Sequence, residues 1–188
     1  MKTKISMFFL LLAIALVAVV LKPNLFTTKE NSSETSVLPK EFSKAELFSF
    51  LQKSDFVNYS MSPVKIDKAT LEAADIINVH FWASWCAPCV NEVPELIEFA
   101  RRVSKKNEKN LKLVFLTVSL DEGSDELNKF LKSFPEFDKE PFIRIWDKDK
   151  SFSKLVNADR LPMTVILNKV ISEPRVVRGV VEWKSIQL

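Results

Sequence analysis

Cys86 and Cys89 are the only cysteines in the 188-residue sequence, and they lie three positions apart. Such a pair can serve as a redox dithiol, as part of a metal site or as a structural disulfide. A structural disulfide is the weakest interpretation, because a bridge that closes so short a loop removes little entropy from the unfolded chain. A tetrahedral zinc site would need about two more Cys or His ligands, and His80 is the only histidine. The residue types therefore favour redox chemistry, and we predict neither a metal nor another cofactor.

The elements around the two cysteines are expected to determine their reactivity. The sequence from Ile76 to Trp82 is almost continuously apolar, which predicts a buried central strand. Val90 to Val103 carries apolar residues at helical spacing and predicts a helix directly after the cysteines. At a helix N-terminus, free N–H groups and the helix dipole favour a thiolate. We therefore predict that Cys86 is the attacking nucleophile and that Cys89, one turn further on, is the resolving thiol.

Periodicity along the rest of the chain predicts an α/β domain with a mixed sheet. Further strands are predicted at Leu111–Ser119, Phe142–Trp146, Met163–Leu167 and Pro174–Val181, and further helices at Glu41–Phe56, Ser124–Phe134 and Ser151–Asn157. This order of strands and helices places helices on both faces of the sheet. The net charge is only +3, with basic and acidic residues intermixed, so we predict no nucleic-acid partner.

The sequence around the cysteines also carries an extended motif. Residues 81–89 are Phe-Trp-Ala-Ser-Trp-Cys-Ala-Pro-Cys, and Glu92 and Pro94 follow. This stretch resembles the thioredoxin superfamily, and more narrowly the TlpA-like membrane-anchored thiol-disulfide oxidoreductases, which include the cytochrome c maturation thioredoxins. The resemblance extends over roughly Glu41 to Trp183. It implies a thioredoxin-like three-layer α/β/α sandwich with a mixed central sheet.

The resemblance assigns roles to further residues. Glu92 would tune the thiols and their proton transfer, although a glutamate early in a helix is also favoured by the helix dipole alone. The segment Leu161-Pro162-Met163-Thr164 resembles the family's cis-proline segment, which packs against the cysteines and offers backbone groups to an extended substrate. Pro88 suits the first helical turn and holds the two sulfurs in register. The predicted substrate-binding residues are Trp85, Pro88, Leu161 and Pro162.

His80 departs from the family pattern. Thioredoxins usually carry a buried Asp at this position, and the TlpA-like branch commonly carries an Asn. The histidine could relay protons to Cys89 near neutral pH, or it could replace the Asn as a core residue without a catalytic role. We favour the second interpretation. Strand alternation predicts that the His80 side chain faces away from those of Val79 and Phe81.

The N-terminal residues predict an address outside the cytoplasm. Met7 to Leu21 is an unbroken apolar run that follows Lys2 and Lys4, which predicts a signal or transmembrane anchor over residues 1–21. Residues 22–40 are polar and predict a tether, and residues 41–188 form the predicted thioredoxin-like domain. We favour an uncleaved, single-pass anchor in the bacterial inner membrane with the domain on the periplasmic side. A cleaved signal would leave a soluble periplasmic protein.

These observations predict an extracytoplasmic thiol-disulfide oxidoreductase that reduces client proteins with Cys pairs, such as apocytochrome c. Strongly oxidising relatives have a thiolate-stabilising His between the cysteines, whereas this chain has Ala87-Pro88. No Gly-x-Gly-x-x-Gly motif occurs, so a membrane thiol-disulfide donor would supply the electrons. The alternatives are a non-catalytic copper- or client-binding thioredoxin-fold module and a disulfide oxidant or isomerase. Copper carriers of this fold usually add a distant His, and none follows Cys89.

Overall fold

The computed structural model describes residues 42–105, 111–139, 141–171 and 173–186 of the chain. Its helices are α1 (Lys44–Lys53), α2 (Lys68–Ala73), α3 (Ala87–Lys105), α4 (Ser124–Ser133) and α5 (Ser151–Leu155), with a 3₁₀ helix at Pro135–Asp138. Its strands are β1 (Phe56–Val57), β2 (Pro63–Val64), β3 (Ile76–Trp82), β4 (Leu113–Ser119), β5 (Phe142–Trp146), β6 (Met163–Asn168) and β7 (Arg175–Arg178). The predicted anchor and tether, residues 1–40, lie outside the described residues. Within the described ranges, no helix is long and apolar enough to cross a membrane.

A five-stranded mixed sheet forms the centre of the fold, in the order β5-β4-β3-β6-β7. Strands β3, β4 and β5 are parallel, while β6 pairs antiparallel with both β3 and β7. Because β3 and β4 are parallel with Trp82 opposite Ser119, their carboxyl ends meet at one edge of the sheet. Met163, at the start of β6, lies opposite Phe81 at that same edge. The predicted mixed sheet is confirmed, and this edge is where the cysteines follow β3.

The two faces of the sheet bury two separate cores. Ile77, Val79 and Phe81 of β3 pack in a core with α1, α2 and α5, which we call the first core. Trp82 packs in a second core with α3, α4 and the 3₁₀ helix, and this second core includes both cysteines. Alternate residues of one strand thus face opposite layers, as the pleat requires. The predicted three-layer sandwich with a thioredoxin-like mixed sheet is confirmed.

Three features differ from the sequence prediction. The β1–β2 hairpin and helix α2 were not predicted, because two-residue strands and a six-residue helix are too short for a periodic signal. The sequence did contain a start signal for α2, because Asp is a preferred N-cap residue. In the structure, the Asp67 side chain caps α2 by accepting a hydrogen bond from the backbone N–H of Thr70 at 2.7 Å. Helix α3 begins at Ala87, three residues before the Val90–Val103 periodicity, and has Pro88 in its first turn as predicted. The apolar periodicity starts only at Val90, whereas the first turn contains a proline, which is tolerated there.

Candidate active site

The two cysteines form a disulfide bond where β3 leads into α3. Their sulfurs are 2.07 Å apart and their Cα atoms 5.2 Å apart. Cys86 immediately precedes α3, and Cys89 lies in its first turn. The two side chains differ in accessibility, because Cys86 is 6% exposed while Cys89 is fully buried. A client thiol or disulfide can therefore approach only Cys86, which supports its predicted role as the attacking residue.

The first turn of α3 places positive potential next to the Cys86 sulfur. The backbone N–H of Cys89 donates to Cys86 Sγ at 3.3 Å. The backbone N–H of Val90 donates to the Cys86 carbonyl at 3.0 Å, which ties the cysteine to the first turn of α3. Once the disulfide is reduced, the same N–H group and the helix dipole favour negative charge on Cys86 Sγ. This arrangement is the one that the sequence predicts for a nucleophilic thiolate.

A buried carboxylate, Asp121, holds the loop that leads to Cys86. Asp121 is 1% exposed and follows β4. It accepts hydrogen bonds from the backbone N–H of Ser84 at 3.0 and 3.2 Å, from the Ser84 hydroxyl at 2.5 Å and from the Ser119 hydroxyl at 2.7 Å. Sequence analysis did not identify Asp121, since an acidic residue after a strand is common at the surface. The only available signal was its position after β4, whose carboxyl end lies beside that of β3.

Glu92 is buried in the second turn of α3 and is bonded on one oxygen only. Its side chain is 3% exposed. Its Oε1 atom accepts a hydrogen bond from the backbone N–H of Val181 at 3.1 Å and a second from the indole Nε1–H of Trp183. Its Oε2 atom is also buried and has no hydrogen-bond partner among the described residues. Burial raises the pKa of Glu92 from 4.5 to about 7, so its carboxyl can gain and lose a proton near neutral pH.

His80 lies on the face of β3 opposite the side chains of Val79 and Phe81, as predicted. It is 2% exposed, and its Nδ1 atom lies 3.0 Å from the Thr164 hydroxyl. Its ring meets the Trp183 ring edge-on at a centroid distance of 6.0 Å. Burial lowers the pKa of His80 from 6.5 to about 4, so the imidazole is uncharged at neutral pH. The proton-relay role of His80 stays a prediction.

The predicted substrate-binding residues lie around the same edge of the sheet. The Leu161–Pro162 peptide bond is cis, as the resemblance implies. Pro162 directly precedes Met163, which pairs with Phe81, and Leu161 packs against the second core that contains both cysteines. Trp85 is 66% exposed, and Pro88 is exposed in the first turn of α3. The fold therefore brings the four predicted residues to the end of β3, while Pro94 is exposed in the interior of α3.

Comparison with known proteins identifies a family. A family model described as thioredoxin-like matches residues 74–172, which is more than half of the chain. No curated protein matches the sequence significantly. The predicted thioredoxin resemblance is confirmed by this family match.

Solved structures with the same fold include three bacterial proteins. Mycobacterium tuberculosis DsbF, in mixed oxidised and reduced forms, is 18% identical with a TM-score of 0.56, covering 71% of this chain and 90% of that one. A secreted M. tuberculosis disulfide oxidoreductase homologous to E. coli DsbE is also 18% identical with a TM-score of 0.56, covering 72% and 92%. Bacillus subtilis StoA is 18% identical with a TM-score of 0.52, covering 70% and 90%. The second of these proteins is described as a disulfide oxidoreductase, which is the enzyme class that the sequence predicts.

Proposed function

Because the chain belongs to the thioredoxin-like family, we propose that it is a thiol-disulfide oxidoreductase that reduces client disulfides outside the cytoplasm. The observation that carries the proposal is the asymmetry of the Cys86–Cys89 pair. Cys86, at a helix N-terminus, keeps 6% of its surface exposed, whereas Cys89, in the first turn of that helix, has none. A structural disulfide has no need of this asymmetry, whereas an exchange reaction requires one sulfur to attack and one to resolve.

The reaction follows from the positions of the two sulfurs. In the reduced protein, the Cys86 thiolate attacks one sulfur of the client disulfide, the client S–S bond breaks, and the departing client thiolate takes up a proton. Cys89 then loses its proton and attacks Cys86 Sγ. The mixed disulfide breaks, the second client thiolate departs and is protonated, and Cys86–Cys89 becomes oxidised. Two electrons pass from the protein to the client.

Glu92 is the group that we propose to accept the proton from Cys89. It lies three residues after Cys89 on the same helix, which is one turn along the same face. Its pKa of about 7 leaves a large share of the carboxyl ionised and ready to accept a proton at neutral pH. The exposed Trp85, with Pro88, Leu161 and Pro162, would hold an extended client segment against Cys86.

The proposed direction and location rest on the sequence. Ala87-Pro88 places no thiolate-stabilising side chain between the cysteines, which favours a reductant over a strong oxidant. The apolar run over Met7–Leu21 would tether the domain to the outer face of a bacterial inner membrane, where a membrane dithiol carrier would reduce it again. One relative of the same fold is described as secreted, which is consistent with this location. Apocytochrome c is one client class of suitable chemistry.

Two cysteine variants and a redox titration test the proposal. Cys86→Ser is expected to abolish reduction of a protein disulfide such as that of insulin, while Cys89→Ser is expected to accumulate a mixed disulfide with the client. Residual turnover in Cys86→Ser would overturn the assignment of the nucleophile. Equilibration of the Cys86–Cys89 couple with glutathione measures its potential. A value well above about −200 mV would instead identify an oxidant or isomerase.

A further inference from the structure

The segment that follows β7, residues 179–186, lies along α3, and we call it the C-terminal strap. Arg102 of α3 donates to the strap carbonyls of Trp183 and Ile186, each at 3.1 Å, and Lys184 bonds Glu95 at 2.7 Å. Glu182, Lys184 and Ser185 are exposed. Trp183, in contrast, is only 1% exposed. A surface segment therefore inserts one large aromatic side chain into the second core.

The inserted indole ring contacts two of the buried titratable groups near the cysteines, Glu92 and His80. Its Nε1–H group donates to Glu92 Oε1, which the backbone N–H of Val181 also reaches at 3.1 Å. Its ring meets His80 edge-on and lies 5.2 Å from the ring of Phe99. Trp183 is the only side chain in the described part of the chain that donates a hydrogen bond to Glu92. Trp183 is thus the side chain that determines the polar environment of the Glu92 carboxyl.

We propose that Trp183 is a positioning residue that sets the protonation of Glu92 and so the proton transfer at Cys89. The part concerning Cys89 rests on the function proposed above. A hydrogen bond donated to a carboxylate stabilises the ionised form, whereas burial disfavours it. Without the indole donor, the buried carboxyl would retain its proton to higher pH and would be a poorer acceptor at neutral pH.

The other charged groups near Glu92 cannot take over this role. Glu95 on α3 and Glu182 on the strap both raise the pKa of Glu92. Lys184 is paired with Glu95, and His80 on β3 is uncharged at neutral pH because of its burial. The N–H groups of Val181 and Trp183 lower the pKa of Glu92 and so oppose the increase caused by burial. The net result is a pKa of about 7. Trp183 lies beyond the residues 74–172 that the family model matches.

The test follows the Glu92 carboxyl directly in the full-length, oxidised protein. With glutamate labelled by carbon-13 at Cδ, the Glu92 resonance is expected to titrate with a midpoint near 7. In Trp183→Phe, which keeps an aromatic ring but lacks the N–H donor, the midpoint is expected to rise by about one pH unit. Trp146→Phe is the matched control, because its indole donates to the Asp121 carbonyl instead and should leave the Glu92 midpoint unchanged. An unchanged midpoint in folded Trp183→Phe would overturn the proposal.

A second measurement needs no variant of Trp183. In the wild-type protein, the indole N–H resonance of Trp183 should shift with the same midpoint as the Glu92 carboxyl, and this shift should disappear in Glu92→Gln. An indole resonance that does not respond to pH would overturn the proposal even if Trp183→Phe failed to fold. Both measurements use the oxidised protein and no client. Failure of disulfide reduction would therefore overturn the proposed function and leave these two results standing.

Discussion

Two buried carboxylates, Asp121 and Glu92, both follow the cysteine pair in the sequence, and their surroundings differ. Asp121 holds the loop before Cys86, and Glu92 follows Cys89 on α3. Both are almost fully buried, at 1% and 3% exposure. Asp121 accepts hydrogen bonds from Ser84 and Ser119 on both of its oxygens. Glu92 accepts on Oε1 alone, and its Oε2 has no partner in the described ranges.

The two carboxylates differ in the number of hydrogen-bond donors that surround them. Asp121 has donors on both oxygens, and Glu92 has donors on Oε1 only. A buried carboxylate with donors on both oxygens is compensated for the loss of water and stays in one geometry. A buried carboxylate with one bare oxygen is only partly compensated, so its protonated and ionised forms lie close in free energy near neutral pH. Asp121 thus fixes the loop before Cys86, while Glu92 has the partly compensated environment that the proposed proton transfer requires.

The largest expected effect is a difference in the free energy of unfolding between variants of the two carboxylates. Asp121→Asn removes charge from a site with several donors and is expected to lower the free energy of unfolding by about 3 kcal/mol at pH 7. Glu92→Gln keeps an oxygen for Val181 and Trp183 and removes a buried group whose ionisation costs stability, so it is expected to raise the free energy of unfolding by about 2 kcal/mol at pH 7. Urea unfolding of both oxidised variants measures the difference. Equal losses in the two variants would contradict the distinction.

The next effect concerns the pH dependence of stability. The pKa of Glu92 is raised from 4.5 to about 7, so the folded protein binds more protons than the unfolded chain between these values and loses stability as pH rises through them. The pKa of His80 is lowered from 6.5 to about 4, so its contribution has the opposite sign and increases with pH over that window. Between pH 4.5 and 6.5, each contribution is expected to change the free energy of unfolding by about 2 kcal/mol.

Variants of Glu92 and His80 should each reveal how the free energy of unfolding depends on pH when only the other residue contributes. Wild-type stability is expected to change little between pH 4.5 and 6.5, because the Glu92 and His80 contributions oppose each other there. In Glu92→Gln, the free energy of unfolding should increase with pH over this range, and in His80→Asn it should decrease. Urea unfolding at several pH values compares the three proteins, in which all other groups are shared. Parallel pH profiles would show that neither residue is perturbed by its burial.

The smallest expected effect concerns a single donor to Asp121. Ser84→Ala removes the hydroxyl bond at 2.5 Å but leaves the backbone N–H bond of Ser84, so stability should fall by about 1 kcal/mol. Ser60→Ala, at an exposed position whose side chain makes no hydrogen bond among the residues that the structure describes, is the matched control and should have no effect. Thermal unfolding of the oxidised proteins is the measurement. A loss in Ser60→Ala as large as that in Ser84→Ala would remove the special role of the Asp121 contacts.

Local patterns predicted most of the framework and the centre of the site. The bounds of β3 and β5 are those predicted, because a run of apolar residues with β-branched and aromatic side chains is a strong strand signal. The cis bond at Pro162 followed from the motif around it. The β1–β2 hairpin was missed because its strands have only two residues each. Its turn is instead held by a distant contact, in which buried Tyr59 donates to Thr117 and accepts from Trp82. Such a contact leaves no periodic trace in the sequence.

The strand pattern, the helix pattern and the Cys-x-x-Cys spacing are all local, so the sequence alone predicts two cysteines where a buried strand meets a helix. The polar residues that complete the site are brought together by tertiary contacts. Asp121 reaches Ser84 across 37 positions, and Trp183 reaches Glu92 across 91. Whether a carboxyl is bonded on both oxygens or on one depends on side chains that the fold brings together from separate elements. Burial and donor number are therefore properties of the packed chain, and they set the protonation of Glu92 and His80.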